Sequence, residues 1–247
     1  MRFLSLLLVP LLAANSLRAE DSKRKEKKEN RYSFKKDHDP NGIGKFYMDR
    51  EIAHVMGHRG AGWLERPTRE EEEQPAKLLK ALKIEPGMAV ADIGAGSGYH
   101  VFRLAPLVGE KGKVYAVDIQ KEMLDLIKAK LKKANVLNVE TVLGGEADPK
   151  LPDDAIDLIL MVDVYHEFAV PYEMTQKMIK ALKPGGRLVF VEFRKEDPKV
   201  PILEVHKMSE RQVKKEMDEF KDLKFVDTNS DLPWQHVITF KKVEAKK

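Results

Sequence analysis

The residues that can do chemistry begin in Val90-Ala91-Asp92-Ile93-Gly94-Ala95-Gly96-Ser97-Gly98-Tyr99, where a short apolar run meets a glycine-rich turn. Glycines let a backbone come close to a ligand, and the N-terminus of a following helix offers free N–H groups. The spacing Gly94-x-Gly96-x-Gly98 lacks the two-residue gap of the dinucleotide fingerprint, which disfavours a nucleotide-dependent oxidoreductase. Further on, Asp118 closes a second apolar run. An acid at the end of a strand beside a glycine loop can accept hydrogen bonds from both hydroxyls of a ribose. The competing structural role for Asp118 is a helix N-cap. His166 and Glu167 stand just after a third apolar run, Ile156–Val162. Imidazole titrates near neutral pH, so His166 is a candidate general base for a hydroxyl-like substrate; the alternative is a loop or ligand contact. His54, His58 and His100 fit no compact ligand spacing and no cysteine assists them, so no metal site is expected.

These residues need strands and helices to position them. Strands are expected over 88–93, 113–117, 139–143, 156–162, 187–193, 223–226 and 237–240, with helical spacing between them. The run 156–162 is almost wholly apolar, as for a central strand covered on both faces. Met123, Leu124, Ile127 and Leu131 share one helix face, and Met174, Met178, Ile179 and Leu182 another. Ser209 with Gln212 forms a capping box opening a helix that turns Val213, Met217 and Phe220 inward. The alternation predicts an α/β sheet layered by helices. Trp234, in Pro233-Trp234-Gln235-His236, would flank a ligand or close the sheet edge. Upstream, Ile52, Val55 and Met56 lie at helical spacing, and Thr68 can cap a second helix that carries Glu70 to Glu73 in its first turn. Pro75 interrupts it. A helical cap is therefore expected over 45–84, with Tyr47, Met48 and Trp63 in a lid.

Taken together, the segment 92–98, Asp118, the turn Gly145-Glu146-Ala147, the strand 156–162 with Tyr165-His166-Glu167, and Leu182-Lys183-Pro184-Gly185-Gly186 resemble class I S-adenosylmethionine-dependent methyltransferases. The likeness spans about residues 75 to 242. It implies a Rossmann-like seven-stranded, mostly parallel sheet with helices on both faces and the last strand antiparallel, within a domain at 85–243. It implies S-adenosyl-L-methionine as cofactor and does not specify the substrate; a small-molecule acceptor, such as a phenolic, quinone-like or carboxylate compound, is expected, with a protein or lipid acceptor open. Gly94, Ala95, Gly96 and Gly98 would pass the backbone under its methionine part, with Asp92 helping to hold that end. Asp118 and Ile119 would meet the ribose, and Glu146 and Ala147 the adenine, with Asp148 a rival for the acidic role. Asp163 would face the cofactor's amino acid end. His166 and Glu167 are the candidate catalytic pair, and Tyr165 and Phe168 pocket walls. A sulfonium suits a site rich in carboxylates, whereas a diphosphate does not. A cofactor-binding interaction module without catalysis, or methylation of a protein acceptor, are the alternatives.

Composition agrees. The chain has 247 residues, 43% hydrophobic and 34% charged, with a net charge of +4 from 44 basic and 40 acidic residues, so no nucleic-acid partner is expected. The absence of cysteine excludes disulfide frameworks, zinc ribbons and thiol nucleophiles. Arg2, the apolar run over 3–14 and Ala19 have the layout of a signal peptide at 1–19, followed by a charge-rich disordered linker at 20–44. Export to the periplasm or outside is the expectation. The basic residues that follow the run favour the alternative, an uncleaved segment with the body at the cytoplasmic face. No transmembrane span is expected, because no apolar run is long enough.

Overall fold

The computed structural model describes residues 31–244; the expected leader at 1–19 and the linker residues 20–30 lie outside them. The rest of the expected linker contains a strand and the start of a second, and the start of the expected helical cap is strand as well. β1 (Tyr32–Phe34), β2 (Gly42–Tyr47) and β3 (Arg50–Ala53) form an antiparallel sheet. β2 and β3 join through Met48-Asp49, with φ of 47° and 73°, while Tyr47 pairs with Arg50. Two positive φ values give a primed turn, which the sequence usually marks with Asn-Gly or Asp-Gly. Met-Asp carries no such mark, and Ile52 is buried by strand packing rather than on a helix face. The cap is helical only later, in α1 (Ala61–Leu64), α2 (Arg69–Glu73) and α3 (Pro75–Leu82). Thr68 makes no side-chain cap bond. Gln74, at φ 47° and ψ 59°, separates the last two helices, and Pro75 opens α3 where its missing N–H costs nothing.

The principal sheet comprises β4 (Ala89–Ile93), β5 (Lys113–Asp118), β6 (Val139–Leu143), β7 (Ile156–Val162), β8 (Leu182–Phe193), β9 (Leu223–Asn229) and β10 (Gln235–Lys242), in the order β6-β5-β4-β7-β8-β10-β9. The pairs β4·β5, β4·β7, β5·β6 and β7·β8 are parallel, and β10 runs antiparallel to both β8 and β9. The expected seven-stranded sheet with an antiparallel last strand is present. Helices α4 (Val101–Val108), α5 (Lys121–Ala134), α6 (Pro171–Ala181) and α7 (Glu210–Met217) cover it. In β7, Ile159 and Met161 belong to one apolar core and Leu158 and Leu160 to another, so both faces of this central strand are covered as its composition requires. Ser209 caps α7 by accepting the Gln212 N–H at 3.1 Å, and Val213 and Met217 are buried.

From β4 the chain moves outward through β5 to β6, then returns to β7 on the other side of β4. The connections leaving β4 and β7 therefore diverge, and a crevice opens at the carboxyl ends of those two strands, the usual ligand position in such sheets.

Candidate active site

A cavity of about 620 Å³ occupies that crevice, within the range of small-molecule sites. One wall is built by loops leaving the parallel strands: Gly94, Gly96, Asp118, Ile119, Glu146 and Asp163. At Gly94, φ is +72° and an added Cβ would lie 2.4 Å from the Val164 side chain, so the loops after β4 and β7 touch only because this residue is glycine. Asp118 ties the glycine turn to its own loop: one oxygen accepts the Gly96 N–H and the other the Gln120 N–H, both at 2.8 Å. Burial raises its pKa against the pull of these backbone donors.

Not every expected cofactor residue reaches the cavity. Gly98 is absent from its wall; a Cβ there would strike Phe102 at 2.9 Å and Ile127 at 3.0 Å, so this glycine serves helix packing. Ala95 and Asp92 are buried behind the turn, and Ala147 faces outward beside the wall-forming Glu146. Asp148 is occupied within its turn, accepting the Lys150 N–H at 2.8 Å and pairing with Lys177 at 3.4 Å, which leaves Glu146 as the acid at the cavity. Asp92 is pushed up to about 7 by burial, with Arg69 opposing and Asp118 reinforcing the shift.

Asp163 sits at φ 51°, one carboxylate oxygen accepting from Gln235 Nε2 at 2.7 Å while Oδ1 is buried with no partner. Burial holds its pKa well above the ordinary carboxylate value, with Glu73 and Glu192 adding to the rise and Gln235 and Arg69 opposing it. The sequence reading missed Arg69, which lines the cavity and whose guanidinium donates to Glu73 at 2.7 Å and to the Leu64 carbonyl at 2.9 Å and stacks over Tyr99.

The other wall carries His166, on the 3₁₀ turn Tyr165–Glu167. Its Nδ1 lies 2.6 Å from Glu192 Oε2, near the end of β8, and its Nε2 lies 3.1 Å from His206 Nδ1. Glu192 also accepts the Tyr165 N–H at 2.9 Å. Burial disfavours the imidazolium of His166, but the adjoining Glu192 carboxylate outweighs it and leaves the pKa raised. His206 is driven down to about 4 by burial and by His166. Glu167 rises to about 7, chiefly through burial. Phe168 lines the cavity, whereas Tyr165 is buried and donates its hydroxyl to Glu216. Glu192 had a visible signal, a charge inside the apolar run 188–193. His206, distant in the chain, had none.

The roof comes from the N-terminal segment. His54, Met56, Trp63 and Leu64 line the cavity, and a Cβ on Gly96 would lie 2.6 Å from Leu64. Gln120 clasps the roof, donating to the Met56 carbonyl at 2.9 Å and accepting the His58 N–H at 2.7 Å. Trp63 is thus in the expected lid, whereas Tyr47 is buried against Tyr32, Met48 is in the hairpin turn, and none of Tyr47, Met48 or Trp234 lines the cavity.

A family described as "Methyltransferase domain" matches residues 84–243. The chain belongs to this family, and its class is that of the S-adenosylmethionine-dependent methyltransferases. The crystal structure of a SAM-dependent methyltransferase from Aquifex aeolicus has a TM-score of 0.72 at 28% identity, covering 76% of this chain and 100% of that one. The ubiquinone/menaquinone biosynthesis C-methyltransferase of Vibrio vulnificus is 34% identical over 111 residues, 44% of this chain and 43% of that protein. The protein-L-isoaspartate O-methyltransferase of Pyrococcus horikoshii is 32% identical over 114 residues, 46% and 48% of the two chains. The chain thus spans under half the length of the curated relatives it matches. One of these is named for C-methylation and the other for O-methylation, so the likeness defines the family rather than the acceptor.

Proposed function

We propose that this protein transfers a methyl group from S-adenosylmethionine to an ionisable hydroxyl on a small, largely apolar acceptor held beside His166. The observation that carries this reading is one cavity with two different walls. Asp118, Glu146 and Asp163 stand on one side, and a histidine oriented by a buried carboxylate stands on the other. The cofactor suits the chain's residues, because the unpartnered Asp163 Oδ1 calls for a donor or a positive charge.

When bound, S-adenosylmethionine supplies an electrophilic methyl group on a positively charged sulfur. The protein's part is placement, which alone can account for much of the acceleration of a displacement reaction. Asp118 holds the ribose hydroxyls, Glu146 meets the adenine end, and Asp163 takes the ammonium. Arg69, beside Asp92 and Asp163, offers its guanidinium to the carboxylate. Phe168, Met174, Ile202 and Leu203 supply an apolar bed for the acceptor, and Trp63 and Leu64 shield it from water. His166 Nε2 receives the acceptor's proton, and Glu192 balances the imidazolium that forms.

Two measurements test the reading. Calorimetry with S-adenosylmethionine or its demethylated product is expected to give one binding event that is lost in Asp118→Ala. Turnover of phenolic and hydroquinone acceptors is expected to fall by about 10²–10⁴-fold in His166→Ala with cofactor affinity kept. Binding without turnover across the acceptor panel, or turnover indifferent to His166→Ala, would favour a non-catalytic cofactor-binding module. Turnover only on a protein substrate would place the acceptor outside the cavity.

A further inference from the structure

His166 and Glu167 lie on one 3₁₀ turn and His206 on another, Glu204–His206, yet each brings a donor atom to within 4.8 Å of the others on the cavity wall. We propose that these three side chains bind a first-row divalent transition-metal cation, with open positions toward the acceptor half of the cavity. The donor set, two imidazoles and one carboxylate, is one that such ions accept while keeping positions free for an external ligand.

The distances are ones that a single ion can bridge. His166 Nε2 and His206 Nδ1 are 3.1 Å apart, which suits two bonds of about 2.0–2.1 Å meeting at little more than a right angle. Glu167 Oε1 stands 3.9 Å from His206 Nδ1. That separation is too long for a hydrogen bond and close to the roughly 4 Å that two metal–ligand bonds span when nearly opposed.

The second layer is already built. Metal-ligating histidines usually donate their other ring N–H to a carboxylate, which fixes the tautomer and aims the free nitrogen. His166 Nδ1 meets the fully buried Glu192 in that manner at 2.6 Å. Glu167 Oε1 is steadied by the Met56 N–H at 3.2 Å. Glu167 and Glu192 supply two carboxylates in a buried place, which suits a divalent cation, and the imidazoles select a transition ion over magnesium or calcium. Among the described residues, these three are drawn from a segment marked in the sequence and one that was not.

Phe168, Ile202 and Leu203 line the same cavity. There the expected external ligand is an oxygen of the acceptor, such as a hydroxyl next to a second oxygen. That role rests on the acceptor reading above, whereas the binding of the ion does not; with the ion in place His166 Nε2 is a ligand and not the base, and the cation lowers the pKa of the bound hydroxyl, whose proton leaves to solvent.

The test uses the full chain after chelator treatment, titrated with Zn²⁺ by calorimetry and with Co²⁺ by visible absorption. One equivalent of each ion is expected to bind, with a Co²⁺ ligand-field band. His206→Ala and Glu167→Gln are each expected to weaken binding by at least roughly 10–100-fold, while His58→Ala leaves it unchanged. Binding of the demethylated cofactor, measured on the same variants, reports that they are folded. Absence of stoichiometric binding in the wild type, or equal binding in His206→Ala, overturns the proposal. If cofactor binding is intact while metal binding fails, the cation site falls alone. If metal binds and the cofactor does not, the methyltransferase reading falls alone.

Discussion

Asp92 lies in β4 behind the glycine turn, where burial has the largest say over its charge. Its pKa, about 7 in the folded protein against 3.8 in an exposed carboxyl, means that the folded state keeps a proton the unfolded chain has already released. The stabilisation from this protonated form is present below about pH 4 and is lost as pH rises through about 7. A bound sulfonium and ammonium reverse the preference, because they favour the ionised carboxylate. Cofactor affinity is therefore expected to weaken as pH falls below about 7, with a proton released on binding that appears as a buffer-dependent heat. Asp92→Asn is expected to remove that proton release and to raise the melting temperature above pH 7 relative to wild type. Identical heats in buffers of different ionisation enthalpy would show that Asp92 does not couple to the ligand.

At the level of elements, the N-terminal hairpin is fastened to the catalytic domain by a buried charge pair. Arg50, the first residue of β3, donates to both oxygens of Glu216 on α7, at 2.7 and 3.1 Å, and to the His166 carbonyl at 3.2 Å. Tyr165 adds its hydroxyl to Glu216 at 2.7 Å. Breaking such a pair strands a buried charge, so Arg50→Met is expected to cost about 3–5 kcal/mol in urea unfolding. The double variant Arg50→Met/Glu216→Leu is expected to recover much of that loss, since the uncompensated carboxylate is gone. Equal losses in the single and double variants would mean that the clamp acts through shape rather than charge. This hairpin was also the least legible element. The strands from β4 onward announce themselves by apolar runs and turn glycines, and Asp118 and His166 sit where those runs end. β2 and β3 lack a conventional turn signal, and Ile52 with Met56 mimics a helix face. His206 and Arg69 enter the site only by tertiary packing, which local periodicity does not encode.

Across the whole molecule, the family match begins at residue 84, yet the cavity does not close without what precedes it. Leu64 covers Gly96, Arg69 lines the cavity, and Met56 holds Glu167. The leader expected at 1–19 is tested by mass spectrometry of protein recovered from its native cell: a chain beginning at Glu20 supports cleavage, and a chain beginning at Met1 favours the uncleaved, cytoplasm-facing alternative. The roof is tested by loosening it. Gln120 joins the segment after Asp118 to Met56 and His58, with two hydrogen bonds. Each bond is worth about 1 kcal/mol net, so Gln120→Ala is expected to weaken cofactor binding by up to roughly 30-fold through faster dissociation, since about 1.4 kcal/mol is a factor of ten. A fragment limited to 84–243 loses Trp63, Leu64 and Arg69 together and is expected to fall further, with Ile93, Val117 and Phe168 opened to water. Stopped-flow dissociation of the demethylated cofactor compares the two directly. Should Gln120→Ala leave the dissociation rate unchanged, the segment from His54 to Leu64 is a passive cover, and the binding energy resides wholly in the loops of the parallel strands.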